Sequence, residues 1–244
     1  MSRGFNGLPP VVKNLIIVNV VMLAAYYLIG WATNINLNSL LGLYFVKSDL
    51  FKPLQIITHM FMHGGLLHLF FNMWALYLFG QVLESVWGPK RFLIYYFICG
   101  LGAAFTNELV QWFEYSRLMA HLNPADVQQV LDLGRNAIVN SQNFVDPSLA
   151  KLNNLLNVPT VGASGAIFGL LLAFGMLFPN TEMFIIPFPM PIKAKYLVIG
   201  YGALELYLAV TQPGSDIAHV AHLGGMIFGF IMIKYWRKTT KTLY

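Results

Sequence analysis

The sequence predicts an all-α fold, a polytopic membrane protein built as a bundle of six transmembrane helices, and three observations carry that expectation. First, 57% of the 244 residues are hydrophobic and only 10% are charged, against about 45–50% and about 25% in ordinary soluble domains. So little charge does not cover a water-facing surface, and lipid is the solvent that fits. Second, the apolar residues gather into six runs: Leu15–Ala32, Leu66–Leu83, Phe92–Val110, Ala163–Phe178, Lys195–Val210 and Ile217–Trp236. Third, those runs divide lysine and arginine unevenly, which sets orientation. With the N-terminus inside, the inner segments hold ten: Arg3, Lys13, Lys90, Arg91, Lys193, Lys195, Lys234, Arg237, Lys238 and Lys241. The outer segments hold five: Lys47, Lys52, Arg117, Arg135 and Lys151. Both termini are therefore expected in the cytoplasm, and six crossings put them on one side. The net charge of +5 is scattered rather than stacked in a patch, so nucleic acid is not an expected partner. The single cysteine, Cys99, lies in an apolar run and excludes an internal disulfide.

Taken in order, the first run follows Arg3 and Lys13 as a signal peptide would. It is too long for such a segment, and "WATNINLN" offers no small-residue cleavage site, so an uncleaved span is expected. Residues 33–65 form an outer loop in which "LNSLLGLYF" is apolar enough to lie in the membrane interface. Residues 111–160 form a longer polar insert. Asn123 and Pro124 read there as N-cap and first residue of a short helix that Gly134 ends, and Asp146 and Pro147 open another. Leu149, Leu152, Leu155 and Leu156 share one face of the latter. Such helices suit a cap over a site, a membrane-surface contact or a folded connector. The fourth run has 16 residues, about 24 Å at about 1.5 Å each, less than the hydrocarbon thickness of about 30 Å. With Pro179 ending it on the inner side, its outer end sits below the membrane surface. Non-helical backbone at that depth is tolerated where it is buried in protein or lines a wet cavity.

Polar residues inside such runs need an explanation. The second run is introduced by "THMFMHGGLLHLFFNMW", with His59, His63, His68 and Asn72; His68 and Asn72 are one helical turn apart on one face. The fourth begins with Ser164, and the sixth carries His219 and His222 in "AHVAHLGGMIFG". All three enter from the outer side, so these groups arrive at one depth. Gly165 and Gly169, and Gly225 and Gly229, are spaced four apart, which lets helices approach closely. If the fourth and sixth runs pack through them, His222 comes alongside Ser164. Glu205, near the outer end of the fifth run, is expected to reach the interface. Taken singly, Ser164 is also a helix-packing serine, His222 an interfacial histidine, and His59 and His63 loop-bracing residues.

"HMFMHGGLLHLFFN", "GASGAIFG" and "AHVAHLGGMIFG", in this order on the second, fourth and sixth runs, resemble the rhomboid intramembrane serine proteases. The resemblance covers roughly residues 10–236 without the insert, so the whole chain is expected to be one such membrane domain. It implies a protease that needs no cofactor and no metal and cuts transmembrane segments of other proteins within the lipid bilayer. By the same resemblance Ser164 is the nucleophile and His222 the general base. His68 and Asn72 form the oxyanion pair with the Ser164 N–H, and His63 is the structural histidine before them. Gly162 and Gly165 flank the serine. Several bacterial relatives have a tyrosine four residues after the serine, where this chain has Phe168; the ring still stacks but brings no hydroxyl. The insert is longer than in the best-known bacterial members. A bacterial inner membrane is the expected location.

Serine needs a base within hydrogen-bond reach, and no acidic third member is visible near either motif, so a Ser–His dyad is expected. The elbow of soluble hydrolases would need glycine where Ala166 stands and a strand before the serine. Two other readings stay open. Histidines at i and i+4 can bind zinc, which makes His59, His63 and His68 candidate ligands, though no HExxH motif supplies a base. A non-catalytic binder of transmembrane helices is the other.

Overall fold

The computed structural model describes residues 7–185, 188–211 and 219–239. Helix α1 (Pro10–Thr33) opens with proline, which lacks the N–H that a first turn leaves unpaired, and closes on Asn34 in the left-handed region. The next two N–H groups, of Val11 and Val12, donate to the two carboxylate oxygens of Glu84 at 2.9 and 2.7 Å. A buried acid thus caps α1 and ties it to the C-terminal end of the second apolar span.

Helices α2 (Leu37–Leu41) and α3 (Gln55–Thr58, continued as a tight turn over His59–Phe61) shape the connection between the first two apolar spans. Leu43, Tyr44 and Phe45 are buried rather than laid in the interface. Leu43 bridges to Thr160, and Phe45 joins Val130, Leu152 and Leu156 of the insert in a small separate core. The end of the segment expected in the interface is therefore inside the protein, with Phe45 packed on the insert, while Leu40 stays exposed.

The second span runs Leu66–Trp87 as α4 (Leu66–Ala75), a π-turn (Leu76–Gly80) and α5 (Gln81–Trp87). Helix α6 (Pro89–His121) follows Gly88, whose φ of 76° suits glycine. Its 33 residues rise about 50 Å, well past a hydrocarbon core of about 30 Å. The insert therefore begins as the projecting end of this helix, not as a break at residue 111.

Within the insert, α7 (Pro124–Val139) is capped by Asn123 as expected, but it runs through Gly134 instead of ending there. Gly134 is helical because Asn153 of α8 (Pro147–Asn157) packs against it, where a Cβ would collide with the Asn153 amide oxygen. Asp146 caps α8, and Leu149, Leu152, Leu155 and Leu156 are its buried face.

Helix α9 (Ser164–Leu177) is the short central span, with all but a few side chains buried. An antiparallel hairpin, absent from the sequence reading, follows it: β1 (Glu182–Ile185) pairs with β2 (Phe188–Lys193) in the register Glu182–Lys193, Met183–Ile192. Proline fits a two-stranded ribbon because each strand has an unpaired edge. Helices α10 (Ala194–Thr211) and α11 (His219–Thr239) complete the chain; Ile217 and Ala218, the expected start of the sixth span, lie outside the described residues.

Among the described residues, Pro10–Thr33, Leu66–Trp87 and Pro89–His121 are long and apolar enough to cross a membrane, and Ser164–Leu177 is a shorter apolar helix. Helices α10 and α11 carry Lys195, Glu205, Lys234, Arg237 and Lys238 and are not among these. Outward-facing Val21, Leu28, Phe70, Phe105, Ile199 and Ile231 give the bundle the apolar exterior that lipid requires.

Helices α6, α9 and α11 form the packed centre. Gly165 lies under Ala103, and a Cβ on Gly225 would overlap the Gly165 carbonyl. Gly169 also meets the Gly225 carbonyl oxygen, 3.2 Å from where its Cβ would stand. Gly229 departs from the expected pairing: it faces Tyr95 and Cys99 of α6. Tyr95 in turn donates to the carbonyl of Gly169 at 2.9 Å.

Candidate active site

The chain reaches Ser164 through a backbone turn that only glycine adopts easily, with Gly162 at φ 130°. The Gly162 N–H donates to the carbonyl of His59 at 2.9 Å, which anchors this turn to the segment before α4. Ser164 is the first residue of α9, so its N–H has no acceptor within the helix. The close approach of Gly225 to Gly165 then sets α11 beside that helix start. His222 Nε2 lies 2.9 Å from Ser164 Oγ. Phe168, one turn along α9, stacks on the His222 ring with centroids 4.2 Å apart and planes 9° from parallel. The aromatic ring thus restricts the imidazole's tilt without offering a hydroxyl.

Across from this pair stands His68 on α4. The Gly64 N–H donates to its Nδ1 at 3.3 Å, so the ring proton lies on Nε2. A Cβ on Gly162 would come within 3.0 Å of that Nε2 and 3.5 Å of Ser164 Oγ. The bare glycine keeps the space between the two open. Asn72 is buried one turn below and donates to the His68 carbonyl at 3.0 Å; its amide has a second N–H to offer.

His59 and His63 sit behind this group. His59 Nδ1 is 2.9 Å from the Gln55 carbonyl, and burial lowers its pKa. The buried His63 meets the His68 ring edge-on at 5.1 Å, and neither of its nitrogens has a hydrogen-bond partner. Burial, with repulsion from His68 as the lesser cause, brings its pKa down to about 4, so it is neutral at pH 7.

Glu205 is where the sequence reading needs correcting. It does not reach the interface: it is 7% exposed and points from α10 toward α11. One of its oxygens is 2.7 Å from His219 Nδ1 and 3.1 Å from His222 Nδ1. The first contact is a well-aligned hydrogen bond, whereas the second is close enough for an ion pair but poorly aligned. An acidic group therefore does stand next to the Ser164–His222 pair, on a helix neither motif belongs to. The available signal was a carboxylate inside an apolar run at the depth of the histidines. The histidines first considered as metal ligands, His59, His63 and His68, do not form a ligand cluster. Among the described residues the donors that do are Glu205, His219 and His222, with ligand atoms all within 4.8 Å, a set that suits zinc in kind.

A cavity of about 1390 Å³ opens over these residues, reaching Ser164, His222, His68 and Asn72. Trp74 of α4, Tyr201 of α10, and Lys151 and Asn154 of α8 also line it. It exceeds the roughly 300–1,000 Å³ usual for small-molecule sites, so a stretch of polypeptide fits.

The Rhomboid domain family matches residues 51–239. Curated relatives include Rhomboid protein 1, mitochondrial, of Saccharomyces cerevisiae, 28% identical over 80% of this chain and 45% of that protein. RHOMBOID-like protein 12, mitochondrial, of Arabidopsis thaliana is 29% identical over 75% and 47%. Rhomboid protease AarA of Providencia stuartii is 26% identical over 71% and 52%. The chain spans about half the length of these curated relatives.

Proposed function

The chain belongs to the rhomboid family, and from that premise we propose that it is an intramembrane serine endopeptidase acting on transmembrane segments of other proteins. The observation that carries the proposal is the 2.9 Å approach of Ser164 Oγ to His222 Nε2 on the wall of a peptide-sized cavity. Rhomboid protease AarA is a relative whose name says protease.

In this reading His222 takes the Ser164 proton on Nε2 as Oγ attacks the scissile carbonyl carbon. The carbonyl oxygen becomes an anion, held by His68 Nε2–H, the free N–H of Asn72 and the Ser164 N–H. Such donors act most strongly where water is excluded. As the C–N bond breaks, His222 returns the proton to the departing amine, leaving an ester on Ser164. A water molecule then gives its proton to His222 and attacks the ester, which releases the acid and restores Ser164. Every proton is carried by His222, so the step needs neither cofactor nor metal.

The cavity's flanks, α4 and α10, bear outward-facing apolar side chains such as Phe70 and Ile199, which suits entry of a substrate helix from lipid. We read six crossings with both termini in the cytoplasm, and residues 1–244 as one membrane domain with 111–160 as a folded outer insert. Among the relatives, a bacterial protein and mitochondrial ones are both found; the bacterial inner membrane is our proposed location. The test is mass spectrometry of membrane-protein N-termini from cells carrying the wild type or Ser164→Ala. New termini within transmembrane segments should vanish in the variant, and an identical set in both would refute the proposal.

A further inference from the structure

We propose that Glu205 is a positioning residue for His222: its carboxylate holds Nδ1–H and so leaves Nε2 bare to accept the Ser164 proton. The inference rests on reading Ser164 and His222 as nucleophile and base. An imidazole protonated on Nε2 would donate to Ser164 Oγ and could not take its proton. The reactive tautomer is favoured by a negative group facing Nδ1, and the Glu205 oxygen 3.1 Å away, within ion-pair range though off the line of a hydrogen bond, is that group. As Ser164 gives up its proton the ring becomes a cation, and the carboxylate faces the charge at short range. This is the part an aspartate plays in soluble serine hydrolases, here supplied from a separate helix.

The surroundings argue that the carboxylate is placed for this purpose. Its neighbours Leu204 and Leu206 face outward, while Glu205 alone of the three is buried. A buried carboxylate needs partners; among the described residues these are His219 Nδ1, hydrogen-bonded to it, and His222 Nδ1 within ion-pair range. His219, the better aligned at 2.7 Å, clamps the oxygen from one turn earlier on α11. Phe168 stacks on the other side of the His222 ring. Among the described residues, the polar groups around His222 are Ser164 from α9, Glu205 from α10 and His219 from its own helix, with His68 of α4 lining the same cavity. The ring is hydrogen-bonded at Nε2, faces the carboxylate at Nδ1 and is stacked on one face. On this view His219 steadies the carboxylate and has no contact with the nucleophile.

The experiment uses the full chain in detergent, a fluorogenic transmembrane peptide, and thermal melts as a folding check. Glu205→Gln is expected to lower kcat by about 10²–10⁴ while KM stays within about twofold, since the lost interaction serves the transition state. The rate at which a fluorophosphonate labels Ser164 should fall in parallel. Glu205→Asp, with the charge one methylene farther away, should lie between the two. His219→Ala should keep kcat within about tenfold of wild type, because it loses only the support of a positioning group. Nitrogen-15 spectra of histidine-labelled wild type should show His222 protonated on Nδ1. A wild-type kcat in folded Glu205→Gln, or a His222 proton on Nε2, overturns the role of Glu205 and leaves the protease reading standing. Cleavage that persists in Ser164→Ala overturns that reading and this inference with it. The spectra decide the matter even if Glu205→Gln does not fold.

Discussion

Replacing Gly225 with alanine is a perturbation of one carbon at the contact that brings the two reactive side chains together. The new Cβ overlaps the Gly165 carbonyl, standing 2.7 Å from its carbon and 3.2 Å from the Gly165 Cα. Non-bonded carbons prefer about 3.5–4.0 Å, a shortfall of about 1 Å. Both offending groups are backbone, so no side chain can swing aside and α9 and α11 must separate. Ser164 precedes Gly165, and His222 is one turn before Gly225 on the same face. The separation therefore passes directly into the 2.9 Å Ser164–His222 contact, stretching it past the point of about 3.5 Å at which it ceases to be a hydrogen bond. A misplacement of about 1 Å costs on the order of 10²-fold in rate, and overpacking of this kind costs about 1–3 kcal/mol. Peptide cleavage, fluorophosphonate labelling of Ser164 and a thermal melt should all report the change. Gly200→Ala is the control, because a Cβ there meets nothing within 4 Å. Wild-type cleavage and melting in Gly225→Ala would refute the account of how the site is assembled.

Three further predictions concern the oxyanion donors, the α1 cap and the topology. His68→Ala and Asn72→Ala should each lower kcat by about 10²–10³ with little change in KM; a rise in KM alone would make them docking residues. Glu84→Gln keeps one acceptor oxygen where Val11 and Val12 need two, so it should cost about 1–3 kcal/mol. That loss would be read as a lower melting temperature with turnover of the folded fraction unchanged, and an unaltered melt would dismiss the cap. Reporter fusions after Lys90 and Lys195 should read cytoplasmic, and fusions near Asp132 external; an external signal after Lys90 would overturn the six-span topology.

What could be read along the chain is what depends on a residue and its near neighbours. Hydropathy over a run of residues locates the apolar helices, three of them long enough to cross a membrane among the described residues. Asn123 and Asp146 announce the starts of α7 and α8 because a cap bonds N–H groups two or three residues away. The i, i+4 spacing of Gly165 and Gly169, with that of Gly225, foretold the meeting of α9 and α11 because small residues on one face leave only one surface to pack. Ser164 and His222 came with it. Tertiary structure decided the rest. Gly134 lost its helix-ending role to an asparagine from another helix, and Leu43 and Phe45 left the interface because the insert covers them. Gly229 turned to α6, since three helices meet where two were expected. Glu205 is the clearest case: hydropathy treats it as a charge to be sent to water, and only the arrival of two imidazoles from α11 makes burial affordable. Whether a carboxylate is a surface group or part of a reactive site depends on the donors the fold sets opposite it, and no window along the sequence contains them.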